Sequence, residues 1–463
     1  MRGVLSYIWL LLAVLPLWTG CRDTFEYDRD AGSQLQFPVD TVCLDTVFST
    51  VPSATYRLAL FNPHHRRLET ELYAGALLSA GYAVIADGVE VTSDGPQALT
   101  VEARDSLVLF VSLTAAEQHD DRPVPLHAAA LFVTNGELRH VVFTAYVQDV
   151  NLVSGGRLGA AEWRGVKPYL LSASLTVDDL DIGPGVSVYL PREDDLRVLD
   201  SLRIAGTVED PVRISGCRPE KAYRRYPGQW GSLSLSGSGT DYVLEHVEIR
   251  NGTNGILVTP PEESTGELPA VQLVACRILN MSYAGIMNTS ARLEADNTLV
   301  ANCGFATLAC TGGSCRLRHC TLAGNYSRYM VRHGRPVVSL RPEQTAPLTP
   351  DPRYAFYNTL IYGTWTEELD FGGSPLTADD VLFDHCLIRT MLPVSDSRFR
   401  ASLVSAVNPF AGTAEENFAP DSLSVCLDAG DPAFAAALPY DLAGYSRMED
   451  GTPDIGAYEY QGR

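Results

Sequence analysis

A chain of 463 residues predicts more than one domain. Its 56 acidic against 35 basic residues leave a formal net charge of −21, which repels phosphate backbones and argues against nucleic acid as a partner. Beyond the N-terminus, no apolar stretch is long enough to span a bilayer as a helix.

The first element in chain order is a leader. MRG is short and positively charged, and VLSYIWLLLAVLPL is an apolar run too short for a membrane span, so the two read together as a secretory signal. The run ends in LWTGC, with Gly20 just before Cys21. This resembles a bacterial lipoprotein signal, in which the cysteine becomes the lipidated first residue of the mature chain. The following RDTFEYDRD is similar to the acidic export tag of Bacteroidota surface lipoproteins. The resemblance implies a signal peptide over 1–20, lipidation at Cys21 and a tether over 21–33. It also implies an outer-membrane location facing the cell exterior, with the membrane as a partner through the lipid. A cleaved signal followed by an acidic linker is the alternative.

Residues 34–150 predict a β-sandwich. TYRLALFN, YAVIADG, ALTVEARDSLVLFVSLTA, HAAALFVTNG and HVVFTAYVQDV are β-rich and broadly alternating, with turn residues between them. DTVFSTVPSATYRLALFNPH, DSLVLFVSLT and LFVTNG resemble the immunoglobulin-like N-terminal domain of Bacteroidota surface lipoproteins.

Residues 151–408 repeat. HVEIRN, ACRILN, DNTLVAN, HCTLAGN, YNTLIYG and HCLIRT each hold a pair two residues apart, often followed by a turn asparagine: Asn251, Asn280, Asn302, Asn325. A period of roughly 20–30 residues built from short strands and Asn/Gly turns fits a parallel β-helix, whose stacked coils share one core. Residues two apart share a strand face. The expected inward columns are therefore Ile249, Ile278, Leu299, Leu322, Leu360, Ile388 and Val247, Cys276, Asn297, Cys320, Asn358, Cys386. Stacked asparagines in the second column would hydrogen-bond along it. GTVEDPV and PGQWG, with these rungs, resemble right-handed parallel β-helix lipoproteins of Bacteroidota. SLSVCLDAGD and DLAGYSRMEDGTPDIGAYEY resemble their terminal, choice-of-anchor segment, so 409–463 is expected to cap the last coil. The expected fold class is all-β: an N-terminal β-sandwich, then a right-handed parallel β-helix.

The stretch CGFATLACTGGSCRLRHC suggests a metal site or a disulfide knot when taken alone. In register it is about one coil. Its four cysteines spread around that coil and cannot meet at one ion, so no metal is expected there. Cys276, Cys320 and Cys386 read as small core residues. Nine cysteines remain after lipidation, an odd number that rules out a complete disulfide framework and leaves room for a bridge through Cys303.

Two places offer chemistry. An outward column of His246, Ala275, Asp296, His319, Tyr357 and His385 sets Asp296 beside His319, and Tyr357 between His319 and His385. A carboxylate beside a histidine can do acid–base work or bind a metal; the plainer alternative is a polar outer sheet face. These four, Asp296, His319, Tyr357 and His385, are the catalytic candidates. The excursion CRPEKAYRRYPGQW supplies Lys221, Tyr223, Arg224, Arg225 and Tyr226 as ligand-binding candidates. Aromatic faces stack on sugars and guanidinium forks bind carboxylates, which suits an acidic glycan. Further excursions at 259–269 and 341–353 are expected on one face of the solenoid, the second fed by Arg328, Tyr329, Arg332, His333 and Arg335. The acidic residues Asp370, Asp379, Asp380 and Asp384 follow no calcium-loop spacing.

The leading expectation is a lipid-anchored, monomeric, non-catalytic β-helix protein that binds polysaccharide or scaffolds the envelope, with no cofactor. The alternatives are a polysaccharide lyase or glycoside hydrolase working in an outer groove, with calcium in the lyase case, and an adhesin.

Overall fold

The computed structural model describes residues 26–92, 95–237, 241–259, 268–324, 326–332, 336–342, 352–374 and 376–462. Cys21, His333 and Arg335 lie outside the described residues. The chain divides into two compact units, Met1–Gln148 and Asp149–Arg463.

Unit 1 is two sheets around one core. The five-stranded sheet orders Thr41–Phe48, Glu137–Gln148, Val124–Thr134, Leu68–Tyr73 and Gln97–Val101; the four-stranded sheet orders Tyr56–Phe61, Ser106–Leu113, Tyr82–Ala86 and Val89–Glu90. Pairing is antiparallel except between Thr41–Phe48 and Glu137–Gln148. Alternation buries Leu107, Leu109, Val111 and Leu113 from one sheet against Phe132 and Phe143 from the other. ALTVEARDSLVLFVSLTA, expected as one segment, breaks at Arg104 (φ 58°) into strands of different sheets.

Unit 2 is a stack of parallel strands, the arrangement of a β-solenoid. An eleven-stranded parallel sheet runs from Asn151–Val153 to Leu403–Val404. A second parallel sheet begins with the long strands Gly156–Trp163, Leu175–Ile182 and Leu196–Ala205. It then forks, because Leu196–Val198 pairs with Leu233–Leu235 while Ser201–Ala205 pairs with Asp241–Glu245. Beyond the fork each coil crosses three walls. Arg277–Met281 lies in the first, Ala284–Thr289 in the second and Arg292–Asp296 in the third.

The inward columns differ from expectation at two coils. Ile249, Ile278, Val300, Leu322, Ile361 and Ile388 pair in register and are fully buried, so Val300 and Ile361 stand where Leu299 and Leu360 were expected. The neighbouring column is Cys276, Thr298, Cys320, Thr359, Cys386 and Ser402. Hydroxyl oxygens of Thr298, Thr359 and Ser402 accept from the backbone N–H of Cys276, Cys320 and Cys386 at 3.4, 3.4 and 3.0 Å. Asn297 and Asn358 are not in it. An asparagine ladder does exist, at the corner between the first and second walls. There Asn251, Asn280 and Asn302 adopt φ of 64°, 61° and 58°, and their side chains link at 3.4 and 3.3 Å. Asparagine tolerates this left-handed conformation and satisfies its own corner.

The C-terminal segment does not cap the last coil. It lies on the outer face of the first wall, where Phe410, Phe418, Leu442 and Ile455 bury Leu279, Leu299, Leu360 and Leu387. That cover explains the register slip, since the first wall is apolar on both faces at these coils. The core at the last coils is closed instead by Phe371, Leu376, Leu392 and Phe399.

Candidate functional site

The column taken as catalytic is a line of bends. His246, Ala275, Asn297, His319, Asn358, His385 and Ala401 occupy the corner from the third wall to the first, with φ of 50°, 52°, 49°, 49°, 45°, 49° and 47°. Histidine and asparagine are enriched in this left-handed region, so the backbone accounts for them. Asp296 and Tyr357 belong one residue earlier, at the ends of third-wall strands, level with Arg318 and Asp384.

None of the four candidates meets another as expected. Asp296 is held bidentately by Arg318, at 2.7 and 2.6 Å, and not by His319. Tyr357 packs against Phe434, their rings tilted by 41° with centroids 4.7 Å apart. His385 Nδ1 lies 2.9 Å from Asp384 Oδ1 and 4.0 Å from Asp431 Oδ2, while Asp384 also pairs with Arg400. His319 is fully buried; Asn358 Nδ2 donates to its Nε2 at 3.0 Å and its Nδ1 has no partner. Burial, then the guanidiniums of Arg447 and Arg318, hold its pKa well below the ordinary value.

What this column does instead is grip the C-terminal segment. Asn358 exchanges side-chain hydrogen bonds with Asp431 (3.0 and 2.8 Å), and its carbonyl accepts from Gly456 N at 2.9 Å. Asn297 donates to Tyr440 O at 2.8 Å and accepts from Arg447 at 2.8 Å.

Because His319 is neutral in the fold and titrates freely once unfolded, folding loses stability as pH falls below the unfolded value near 6.5. His319→Asn keeps a residue suited to the bend and removes the titration. The wild type is expected to lose about 2 kcal/mol relative to His319→Asn between pH 6.5 and 5, at about 1.4 kcal/mol per pH unit. Parallel melts at the two pH values check this; a constant difference would refute it.

Of the second candidate set, Arg225 lines a cleft and Tyr226 borders it through its contact with Tyr329. Lys221–Tyr223 forms one 3-10 turn, Arg218 stacks 3.9 Å over the Tyr223 ring, and Asn251 of the ladder donates to Arg224 O at 2.9 Å. Tyr226 lies 5.8 Å from Tyr223 and 4.6 Å from Tyr329 on the next excursion. Arg225 donates to Ala414 O at 2.6 Å and lies 3.5 Å from Glu416. Arg225, Asn302, Tyr326, Arg328, Tyr329, Thr413, Glu415 and Glu416 line the cleft, of about 300 Å³. Lys221, Tyr223, Arg224 and Tyr226 are exposed and are not among the residues lining the cleft. Glu416 anchors the cleft's far wall: it pairs with Arg250 and accepts from Asn280 Nδ2 at 2.8 Å.

The two excursions expected on one face do leave the same corner, and the other two leave a different one. Those after Gly216 and after Ala323 leave the corner between the first and second walls, whereas those after Val258 and Arg341 leave the corner between the second and third. Of the residues expected to feed the last excursion, Arg332 is buried against Glu368 and under Trp365, and Arg328 is exposed at the cleft. Among the acidic residues, Asp370 pairs with Arg341, and Asp380 caps Thr377 at 3.0 Å. Among the described residues no three His, Cys, Asp or Glu side chains are grouped to hold a metal ion. Cys303, Cys310, Cys315 and Cys320 all lie in the solenoid core, and each described cysteine is free.

The sequence places Arg225 correctly, singles out Arg328 and Tyr329 only as feeding the 341–353 excursion, and misses Tyr326 and residues 413–416. The aromatic ring of Tyr326 was the only signal on offer there.

No family model matches the chain, and no curated protein matches it. Among solved structures, the ASH/PapD-like domain of human CEP192 (PapD-like domain 7) is similar over 28% of this chain and 94% of that domain, at 10% identity and a TM-score of 0.18. A likeness at that score carries no argument about either unit.

Proposed function

We propose that this protein binds a glycan, without turning it over, in the tyrosine–arginine cleft of unit 2. The observation that carries the reading is the Tyr226–Tyr329 ring pair, joined from two separate excursions at 4.6 Å beside Arg225 and Arg328. Tyrosine rings offer flat apolar faces to sugar rings, and guanidiniums offer paired donors. The floor is fixed before any ligand arrives, because Asn251, Asn280 and Glu416 lock it to the ladder. Such preorganisation lowers the entropy lost on binding.

Around this site we place a surface lipoprotein lipidated at Cys21, with an immunoglobulin-like unit 1 as spacer and a right-handed β-helix as unit 2. The leader sequence LWTGC and the acidic RDTFEYDRD support the anchoring. The near-universal right-handedness of parallel crossovers supports the handedness.

Tyr329→Ala is expected to weaken binding about tenfold, or about 1.4 kcal/mol. Affinity electrophoresis on a polysaccharide panel, followed by calorimetry on the best ligand, measures it. Release of unsaturated uronate or new reducing ends from any panel member would replace this reading with a lyase or a hydrolase.

A further inference from the structure

A second cleft of about 200 Å³ lies at the other end of the same first-wall strands. His246, Glu248, Arg277 and Leu442 line it. Arg277 opens the strand Arg277–Met281, and Asn280, which holds Glu416 of the first cleft, stands near its end. The two clefts are therefore about one strand length apart, roughly 15 Å.

The C-terminal segment covers Leu279 between them, so the strip left open is on the preceding coil, where the Arg250 and Glu248 side chains are 17% and 22% exposed and their charges are matched. Glu248 lies 3.2 Å from Arg250, Arg250 pairs with Glu416, and Glu416 lies 3.5 Å from Arg225. This line runs from one cleft to the other. Two arginines stand outside it. Arg277 donates to Tyr458 Oη at 3.2 Å; it feels the charges of Glu248 and Asp441 but has no carboxylate at ion-pair distance among the described residues. Arg328 donates to Tyr329 Oη at 2.7 Å and likewise has no carboxylate partner there. Each cleft thus holds one guanidinium with its fork left open to an acid.

We propose that the two clefts are the ends of a single trough for an extended polysaccharide that carries acidic groups at intervals, one acid seated on Arg328 and another on Arg277. This rests on the glycan-binding reading of the first cleft and adds the length and charge spacing of the ligand. The sugars between the acids cross the matched ion-pair line, which offers hydrogen bonds without net charge. A densely charged polymer would be repelled by the net charge of −21, so the acids must be sparse and each must be met by a local paired contact.

Glucuronoxylan oligomers bearing one or two glucuronate groups, and neutral xylan oligomers of equal length, test this by calorimetry. The two-acid oligomer is expected to bind at least about tenfold more tightly than the one-acid oligomer. Arg277→Gln and Arg328→Gln should each erase that gain. Arg328 is exposed, so its variant carries no risk to folding, and melting curves verify the other. Tyr329-dependent binding with no two-acid gain, or a gain that survives both substitutions, overturns the trough and leaves the first cleft standing. Failure of the wild type to bind these oligomers while it binds another member of the polysaccharide panel overturns the trough alone, and failure on the whole panel overturns both readings.

Discussion

Replacing Arg447 with alanine should cost unit 2 about 3–5 kcal/mol and loosen the C-terminal segment from the first wall. Arg447 is fully buried. It donates to Glu459 Oε1 at 2.6 Å, to Asn297 Oδ1 at 2.8 Å and to Ala457 O at 3.2 Å. It therefore ties two parts of the segment to each other and to the bend column. Without it Glu459, also buried, has no cation beside its carboxyl group. Burial already pushes Glu459 up to about 8. Removing the guanidinium raises it further, so the variant's Glu459 prefers the neutral acid when folded and ionises normally near 4.5 when unfolded. A raised carboxylate pKa means that stability drains away as pH rises above 4.5 through the folded value. The wild type drains in the same way up to about 8, so the penalty of Arg447→Ala is expected to widen above that value and to be larger at pH 9.5 than at pH 5. Denaturant unfolding at both pH values, with limited proteolysis C-terminal to residue 409, measures it. A variant that unfolds like wild type and resists protease as well would show that the segment is held by its apolar contacts alone.

Trp230→Ala is expected to cost about 3–5 kcal/mol by the cavity it leaves, and to weaken the cleft as well. The indole is fully buried in the solenoid core, and its Nε1 donates to Arg250 O at 2.7 Å. It passes so close to Gly252 that a Cβ there would lie 2.9 Å from the ring. The substitution removes a packed ring and also strands the carbonyl of Arg250, the residue whose side chain pairs with Glu416. Trp230→Phe keeps most of the volume and loses only the N–H, so it should recover more than half of the stability. Calorimetric unfolding of the two variants separates packing from the hydrogen bond. Equal losses in both would assign the whole effect to Arg250 O.

The solenoid was legible because its period is written in residues that must face in. Cys276/Ile278, Cys320/Leu322 and Cys386/Ile388 align correctly from spacing alone. Alignment failed at DNTLVAN and YNTLIYG for a physical reason. Leu299 and Leu360 are apolar because the C-terminal segment covers them, so both faces of those strands are apolar and period-2 alternation cannot choose between them. The bend column was legible as a column and misread as chemistry. His246, Ala275, Asn297 and His319 share a left-handed backbone conformation, and tolerance of that bend, rather than acid–base chemistry, selects histidine and asparagine there. One side of the cleft was visible in AYRRYPGQW, through Arg225. Its other side comes from Tyr329 and Glu416, far along the chain, and only coil stacking brings these together.

The core thiols carry a consequence for how this solenoid comes apart. Cys276, Cys320 and Cys386 each donate Sγ–H to a carbonyl of the preceding coil, at 3.4, 3.3 and 3.3 Å, and sit at three heights of the stack. Burial pushes Cys276 and Cys386 up to about 12 and raises Cys320 as well, so none offers a thiolate to an alkylating reagent while its coil is closed. Stacked repeats open through neighbour-to-neighbour loss, beginning at an end. The order in which a brief iodoacetamide pulse marks these three sulfurs therefore reports the direction of fraying, with each cysteine serving as a mile-post that the wild-type chain already contains.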